Sequence, residues 1–173
     1  ELKKFARTDY EIKSGKVQRE YKAAVLADLH GFQYGKDNIR LLDAIRSGQP
    51  DLILIPGDMV VSRKSDTYET ALKILEELCR IAPVYYSYGN HESRAHIRKS
   101  EYQEKFFAFE NKVKELGIHV LHNETEAFGE LAVTGLEIPL SCYKKGVDVP
   151  LPQDYLEKTL PEQTEDTFQV LLA

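Results

Sequence analysis

The chain has no tryptophan and a single methionine, and its two cysteines, Cys79 and Cys142, stand far apart without a C-x-x-C pattern. That spacing provides neither a disulfide framework nor a zinc knuckle, so ordinary semi-buried thiols are expected. No apolar run approaches the roughly 18 residues that a membrane-spanning helix needs, and no secretory h-region follows the start. Phosphate loops of the G-x-x-x-x-G-K-[ST] and G-x-G-x-x-G types are missing, which removes the usual signal for a nucleotide cofactor. Positive charge is not in excess: 23 Lys and Arg stand against 28 Asp and Glu, a formal charge of -5. Such a balance gives no general attraction to polyanions, makes nucleic acid an unfavoured partner, and leaves any phosphate-bearing ligand to local positive charge such as bound cations. Internal repeats and low-complexity tracts are also lacking.

What is present suits one globular domain with a real core: 173 residues, 42% hydrophobic and 29% charged. The run Leu52-Ile53-Leu54-Ile55 reads as a strand buried on both faces. It ends in Pro56-Gly57-Asp58, where Gly57 lets the backbone turn tightly and Asp58 places a carboxylate at the strand end. Ala23 to Ala27 forms a second hydrophobic strand, closed by Asp28-Leu29-His30-Gly31, and Val84 to Tyr88 a third, closed by Gly89-Asn90-His91-Glu92. The first helix is expected over about Asn38 to Ser47, capped by Asp37, with Leu41, Leu42 and Ile45 on one face and Gly48 and Pro50 as stops. The second starts near Asp66 or Thr67 and carries Tyr68, Ala71, Leu72, Leu75, Leu78 and Cys79 at helical spacing. Strands alternating with helices imply right-handed crossovers and a parallel sheet, so all three polar clusters should meet on one carboxyl-terminal edge.

Elsewhere the signals are weaker. Tyr10 to Lys13 alternates like an edge strand. A third helix is announced by a capping box of Ser100 with Gln103 and shows Tyr102, Phe106, Phe109, Val113 and Leu116 along one stripe before Gly117. Ile118 to His122 and Leu131 to Leu136 read as strands joined by an acidic turn from Glu124 to Glu130. Residues 138 to 166, rich in proline, read as loop with a short helix near Asp154 to Lys158. The chain opens at Glu1 without methionine and closes on Phe168 to Ala173, which resembles the middle of a buried strand; a fragment trimmed at both ends is the expectation.

Each polar cluster alone is a common accident, but Asp58 follows Asp28 by 30 residues and Asn90 follows Asp58 by 32, one strand-helix unit each time. Carboxylates and imidazoles gathered on one sheet edge are what a site for two divalent cations requires, with His selecting transition metals over calcium. In that order and spacing, Asp28-x-His30, Gly57-Asp58 and Gly89-Asn90-His91-Glu92 resemble the calcineurin-like metallophosphoesterase family, closest to its small bacterial single-domain phosphodiesterase-like members, from about residue 20 onward.

The resemblance implies an α/β fold, a two-layered β-sandwich flanked by helices, in which residues 1 to 173 form the N-terminal part of a single domain. It implies a dinuclear site: Asp28 and His30 on the first metal, Asn90 on the second, Asp58 bridging both, and the ions Mn, Fe or Zn. Metal-activated hydroxide would then hydrolyse a small phosphorylated ester, diester or monoester. His91 would protonate the leaving oxygen or stabilise its charge without binding metal, and Glu92 would orient its neighbours. The family completes its site with a further His and a Gly-His-x-His pair, which His96, His119 and His122 do not supply in the right contexts. The expectation is that this fragment holds the second metal poorly and turns over slowly or not at all. Two other readings stand beside the hydrolase: a nuclease of the same fold, and a non-catalytic module that retains it. Similar bacterial proteins often carry an amino-terminal anchor, so membrane association through a missing segment stands beside a cytoplasmic location. Around the site, Arg63, Lys64, Arg94, Arg98 and Lys99 are read as loop cations, solvated or phosphate-binding. Phe32, Gln33 and Tyr34 are read as packing or as an apolar lip, and His119 and His122 as strand-surface residues.

Overall fold

The computed structural model describes residues 4–97, 101–144, 146–161 and 166–173. The four aliphatics of the organising run form strand β2 (Leu52–Ile55), and all four are buried. Their side chains alternate between two faces, as a period of two demands. Ile53 and Ile55 join the core beneath the helices, whereas Leu52 and Leu54 join a second apolar layer with Leu131, Val133 and Leu172. Complete burial of each such side chain stabilises the fold by about 1.5–3 kcal/mol, which explains why this strand lies at the centre.

On one side β2 pairs with β1 (Ala23–Val25), on the other with β3 (Val84–Ser87), and β3 pairs in turn with β4 (His119–Leu121). All four strands are parallel, in the order β1-β2-β3-β4. Helices α1 (Ile39–Gly48), α2 (Asp66–Cys79) and α4 (Glu101–Glu115) supply Leu41 and Leu42, then Tyr68, Ala71, Ile74, Leu75 and Leu78, then Phe106, Phe109 and Val113 to the core on one face. The other face is covered by a three-stranded sheet in the order β5-β6-β7, made of β5 (Thr125–Phe128), β6 (Leu131–Gly135) and β7 (Phe168–Leu172). Sheet on sheet with helices outside is the architecture that the resemblance implies.

Several local expectations are corrected. Asp37 does not cap α1: it has a φ of 52° within a short 3-10 turn, and the adjacent Asn38 accepts a hydrogen bond from Tyr34 N at 2.8 Å. Thr125 to Phe128, read as an acidic turn, is a strand antiparallel to β6, with Thr125 against Thr134 and Phe128 packed on the inter-sheet core. Glu124 before the strand and Glu126 within it mask the β pattern. Tyr10 to Lys13 is no strand; Tyr10 and Ile12 are 87% and 76% exposed, and an alternation without a neighbouring strand to bond has nothing to hold it. Gly89-Asn90-His91-Glu92 does not remain a turn but opens helix α3 (Asn90–Ile97), which takes Arg94 out of a loop. β7 is half-exposed in alternation rather than buried throughout. The short late helix is α5 (Tyr155–Thr159). The Ser100 cap and the cations Arg98 and Lys99 lie outside the described residues.

Candidate metal centre

A parallel sheet ends all its strands on one edge, so the segments after β1, β2 and β3 are brought together there. They are stitched to each other in a fixed sequence. The amides of Asp28, His30 and Gly31 donate to the carbonyls of Gly57, Asp58 and Met59 at 3.2, 2.9 and 2.8 Å. The tail of β2 is held in turn by Glu92 on the first turn of α3. Its carboxylate accepts the amides of Asp58 and Met59 at 2.9 Å each and of Val60 at 3.3 Å, and the hydroxyl of Tyr86 donates to it at 2.7 Å. Glu92 is fully buried. Burial pushes its pKa up to about 7 and the charge of Asp58 adds to the rise, while the Tyr86 hydroxyl and backbone amides, that of Asp58 among them, pull the other way. One carboxylate thereby sets the β2 tail, and the β2 tail sets the β1 tail.

The close approach of β2 and β3 depends on two glycines. Gly57 has a φ of 119°, and a Cβ there would lie 2.0 Å from Gly89 N; one on Gly89 would lie 2.3 Å from Asp58 Oδ1. With both side chains absent, Asp58 reaches Asn90 and His91. Asn90 Nδ2 donates to Asp58 Oδ2 and His91 N to Asp58 Oδ1, each at 2.8 Å. Asp58 is 7% exposed. Asp28, His30 and Asp58 all have positive φ, of 56°, 49° and 54°, a region that side-chain-bearing residues seldom occupy.

His91 is neutral and its tautomer is fixed. Burial lowers its pKa. Ser62 N donates to its Nδ1 at 3.1 Å, and since a backbone N–H can only donate, Nδ1 is the acceptor and Nε2 carries the proton. Ser62 is held by the Tyr68 hydroxyl, which donates to its carbonyl at 3.3 Å. The His30 and His91 rings meet edge to face at 4.9 Å.

The residues present fit a cation. His30 and Asp58 offer ligand atoms within 4.8 Å of each other and of the His91 ring, whose Nδ1 is already taken by Ser62 N and whose Nε2 carries the proton. His30 Nδ1 is buried without a hydrogen-bond partner, a costly state for a polar atom that no neighbour relieves. Asp28 Oδ1 lies 3.6 Å from His30 Nε2, and among the described residues no Lys or Arg forms an ion pair with Asp28 or Asp58. Two uncompensated carboxylates beside an imidazole are a donor set for a divalent transition metal. Two observations qualify the predicted roles. Asp28 stands out to solvent, its side chain 72% exposed, and Asn90 turns its amide nitrogen to Asp58 while its carbonyl accepts from Arg94.

The remaining histidines lie apart from this group. His119 stacks on Tyr85 at 4.5 Å and bonds Glu126 of β5, tying the two sheets. His122, just past β4, bridges Glu137 at 2.6 Å and Glu110 of α4 at 3.1 Å. Burial alone would lower its pKa, but the two carboxylates raise it to about 9, and His122 with Lys114 holds Glu110 down at about 2 against the opposing effect of burial. His96 packs among Tyr88, Phe107 and His122. Phe32 is 38% exposed and meets Tyr34 at 5.0 Å, which meets Phe5 at 5.5 Å, so the aromatic stretch after His30 both packs and opens outward.

Three contributors were not singled out from sequence: Tyr86, whose hydroxyl serves Glu92, and Ser62 and Tyr68, which fix His91. Tyr86 had a usable signal, because a tyrosine inside a fully buried strand must find an acceptor for its hydroxyl. Ser62 acts through its backbone, which no side-chain pattern records.

A family model described as calcineurin-like phosphoesterase matches residues 21–171. The phosphodiesterase YaeI of Escherichia coli (strain K12) is 32% identical over 107 residues, covering 60% of this chain and 37% of that protein. The match thus spans little more than a third of that relative's length.

Proposed function

Because this chain belongs to the calcineurin-like phosphoesterase family, we propose that the edge built from Asp28, His30, Asp58, Asn90 and His91 hydrolyses phosphoric esters with the help of two divalent cations. The observation that carries the reading is the buried carboxylate of Asp58 meeting His30 and His91 within 4.8 Å at the carboxyl end of a parallel sheet. The phosphodiesterase name of the relative from Escherichia coli supports the same class of reaction and favours a diester. Asp28 and His30 would hold one cation, Asp58 would share itself between two, and Asn90 would turn its carbonyl to the second. The chemistry such cations supply when bound is Lewis acidity, which neutralises phosphoryl charge and makes water acidic enough to attack near neutral pH.

His91 contributes from the protein side. Of its two expected roles, proton donor and stabiliser of charge, the geometry favours the second. An imidazolium would need a proton on Nδ1, and that position faces the Ser62 N–H. The ring therefore stays neutral and offers Nε2–H as a hydrogen bond to negative charge on the leaving oxygen. Glu92 keeps Asp58 in place without touching substrate.

The test is an assay of the full chain with added Mn²⁺ against monoester and diester model substrates. Asp58→Asn is expected to lower kcat/KM on the order of 10²-fold or more, and His91→Ala on the order of 10²-fold. His91→Gln, which keeps an N–H donor, should lose less than His91→Ala, and a proton-donor role would instead make the two equal. Wild type and variants that are equally inert while metal-loaded would establish the non-catalytic module.

A further inference from the structure

We infer that Arg94 is the residue that receives two phosphoryl oxygens of the substrate, an inference that rests on the phosphoric-ester reading above. Five cations follow the ligand clusters in sequence, each a candidate loop charge or phosphate ligand. Arg63 and Lys64 are exposed in a turn after Asp58, and Arg98 and Lys99 lie outside the described residues. Arg94 differs in kind. It sits on α3 one helical turn after Asn90, half-buried, and its guanidinium donates to the Asn90 carbonyl, a neutral acceptor.

Four of the described arginines are matched to acids: Arg7 to Asp9, Arg19 to Asp51, Arg46 to Asp43 and Glu77, and Arg80 to Glu76 and Glu77; Arg40 and Arg63 have no such partner but are exposed, so water solvates them, whereas Arg94 is half-buried. Among the described residues no carboxylate pairs with Arg94. A guanidinium has five N–H donors in a planar fork, and the single described acceptor leaves most of them unused. A half-buried cation without a counter-ion is unfavourable until an anion arrives, and the fork geometry matches two oxygens of a phosphoryl group. Its position fits the role. The amide that it holds is itself 2.8 Å from Asp58 Oδ2, so the Arg94 guanidinium lies one side chain away from the ligand cluster. Asn90 separates the guanidinium from Asp58, which keeps the arginine from neutralising that carboxylate.

On this account Arg94 binds two substrate oxygens, no bond to phosphorus is made or broken by it, and phosphomonoesters, phosphodiesters and inorganic phosphate are all ligands. The experiment compares the full chain with Arg94→Met and Arg94→Lys. Binding of inorganic phosphate is measured by calorimetry with and without Mn²⁺, bound Mn²⁺ is counted, and KM and kcat are separated for one monoester and one diester. Arg94→Met is expected to weaken phosphate binding and raise KM by about tenfold or more, with a smaller change in kcat and unchanged Mn²⁺ content, while Arg94→Lys recovers part of the loss. Unaltered phosphate affinity in Arg94→Met overturns the inference. So does a loss that saturating Mn²⁺ restores, since Arg94 would then act only by orienting Asn90. A wild type that is inert but binds phosphate in an Arg94-dependent way refutes the hydrolase reading and keeps Arg94 as a phosphoryl ligand without a substrate to turn over.

Discussion

The two sides of the ligand cluster are built differently. After β2 and β3 the chain is locked: Asp58 is 7% exposed and accepts two hydrogen bonds, Gly57 and Gly89 touch backbone to backbone, and a fully buried Glu92 holds three consecutive amides. After β1 it is open. Asp28 projects into solvent with His30 as its one described ionic neighbour, and β1 itself is lightly covered, with Val25 67% exposed. The locked side presents its carboxylate whether or not a ligand is present. The open side contributes groups that a cation must draw in. Such a division separates preorganisation from exchange: one wall defines where charge is held and the other lets ions enter and leave.

This contrast can be broken most severely at Gly57. An alanine there places a methyl 2.0 Å from Gly89 N at a φ of 119°, with backbone on the other side of the clash. The expected loss is about 4 kcal/mol or failure to fold, read by urea unfolding; a change within about 1 kcal/mol would mean that the wall yields. Glu92→Gln comes next. It removes the buried charge and turns an amide N–H toward backbone donors, with an expected loss of about 3 kcal/mol in the same measurement and a drop in Mn²⁺ affinity. If stability fell but metal binding did not, the lock would serve the fold alone.

The charged latch beyond β4 extends the locked side and is read by pH. The pKa of His122 is about 9 in the fold against an ordinary 6.5. Its stabilising contribution is therefore fully present below pH 6.5 and is lost as pH rises through 9. Stability of wild type over His122→Asn should amount to about 1–2 kcal/mol at pH 6 and narrow toward pH 9.5. A gap that is independent of pH would assign His122 to packing. Asp28→Asn is the mildest change to the fold, below about 0.5 kcal/mol, because the carboxylate is exposed. The same variant should lower Mn²⁺ affinity at least about tenfold by calorimetry. Equal destabilisation by Asp28→Asn and Glu92→Gln would erase the distinction between the two walls.

The locked wall was the more legible in sequence. Four aliphatics followed by Gly-Asp state a buried strand and a tight turn, because burial on both faces leaves no polar position and a close approach leaves no room for Cβ. The position of Asn90, His91 and Glu92 after β3 was equally readable, but their entry into a helix was not: a Gly-Asn-His-Glu run carries no apolar periodicity, and α3 buries polar Glu92 and Ser93 with only Ala95 beside them. β5 was hidden because its one glutamate, Glu126, faces His119 and exposed Glu124 stands just before it, so a strand looked like an acidic turn. The unpaired state of Arg94 could not have been foreseen, since it depends on which carboxylates fail to reach it in three dimensions. The β1 side gave its ligands by spacing alone, and the structure adds that they are held by backbone bonds from β2 rather than by packing of their own side chains.

The positive φ values of Asp28, His30 and Asp58 bear on what directed evolution would do to this protein. At each of these positions the fold bears a conformational cost on the order of 1 kcal/mol that glycine would relieve, in full at exposed Asp28 and against the loss of two hydrogen bonds at Asp58. A screen that rewards heat resistance alone would thus find its easiest gains by deleting the groups on which the chemistry depends, and the hardiest survivors would be the emptiest sites. Selection on this scaffold must demand function at every round, or thermostability will be reached by disarmament.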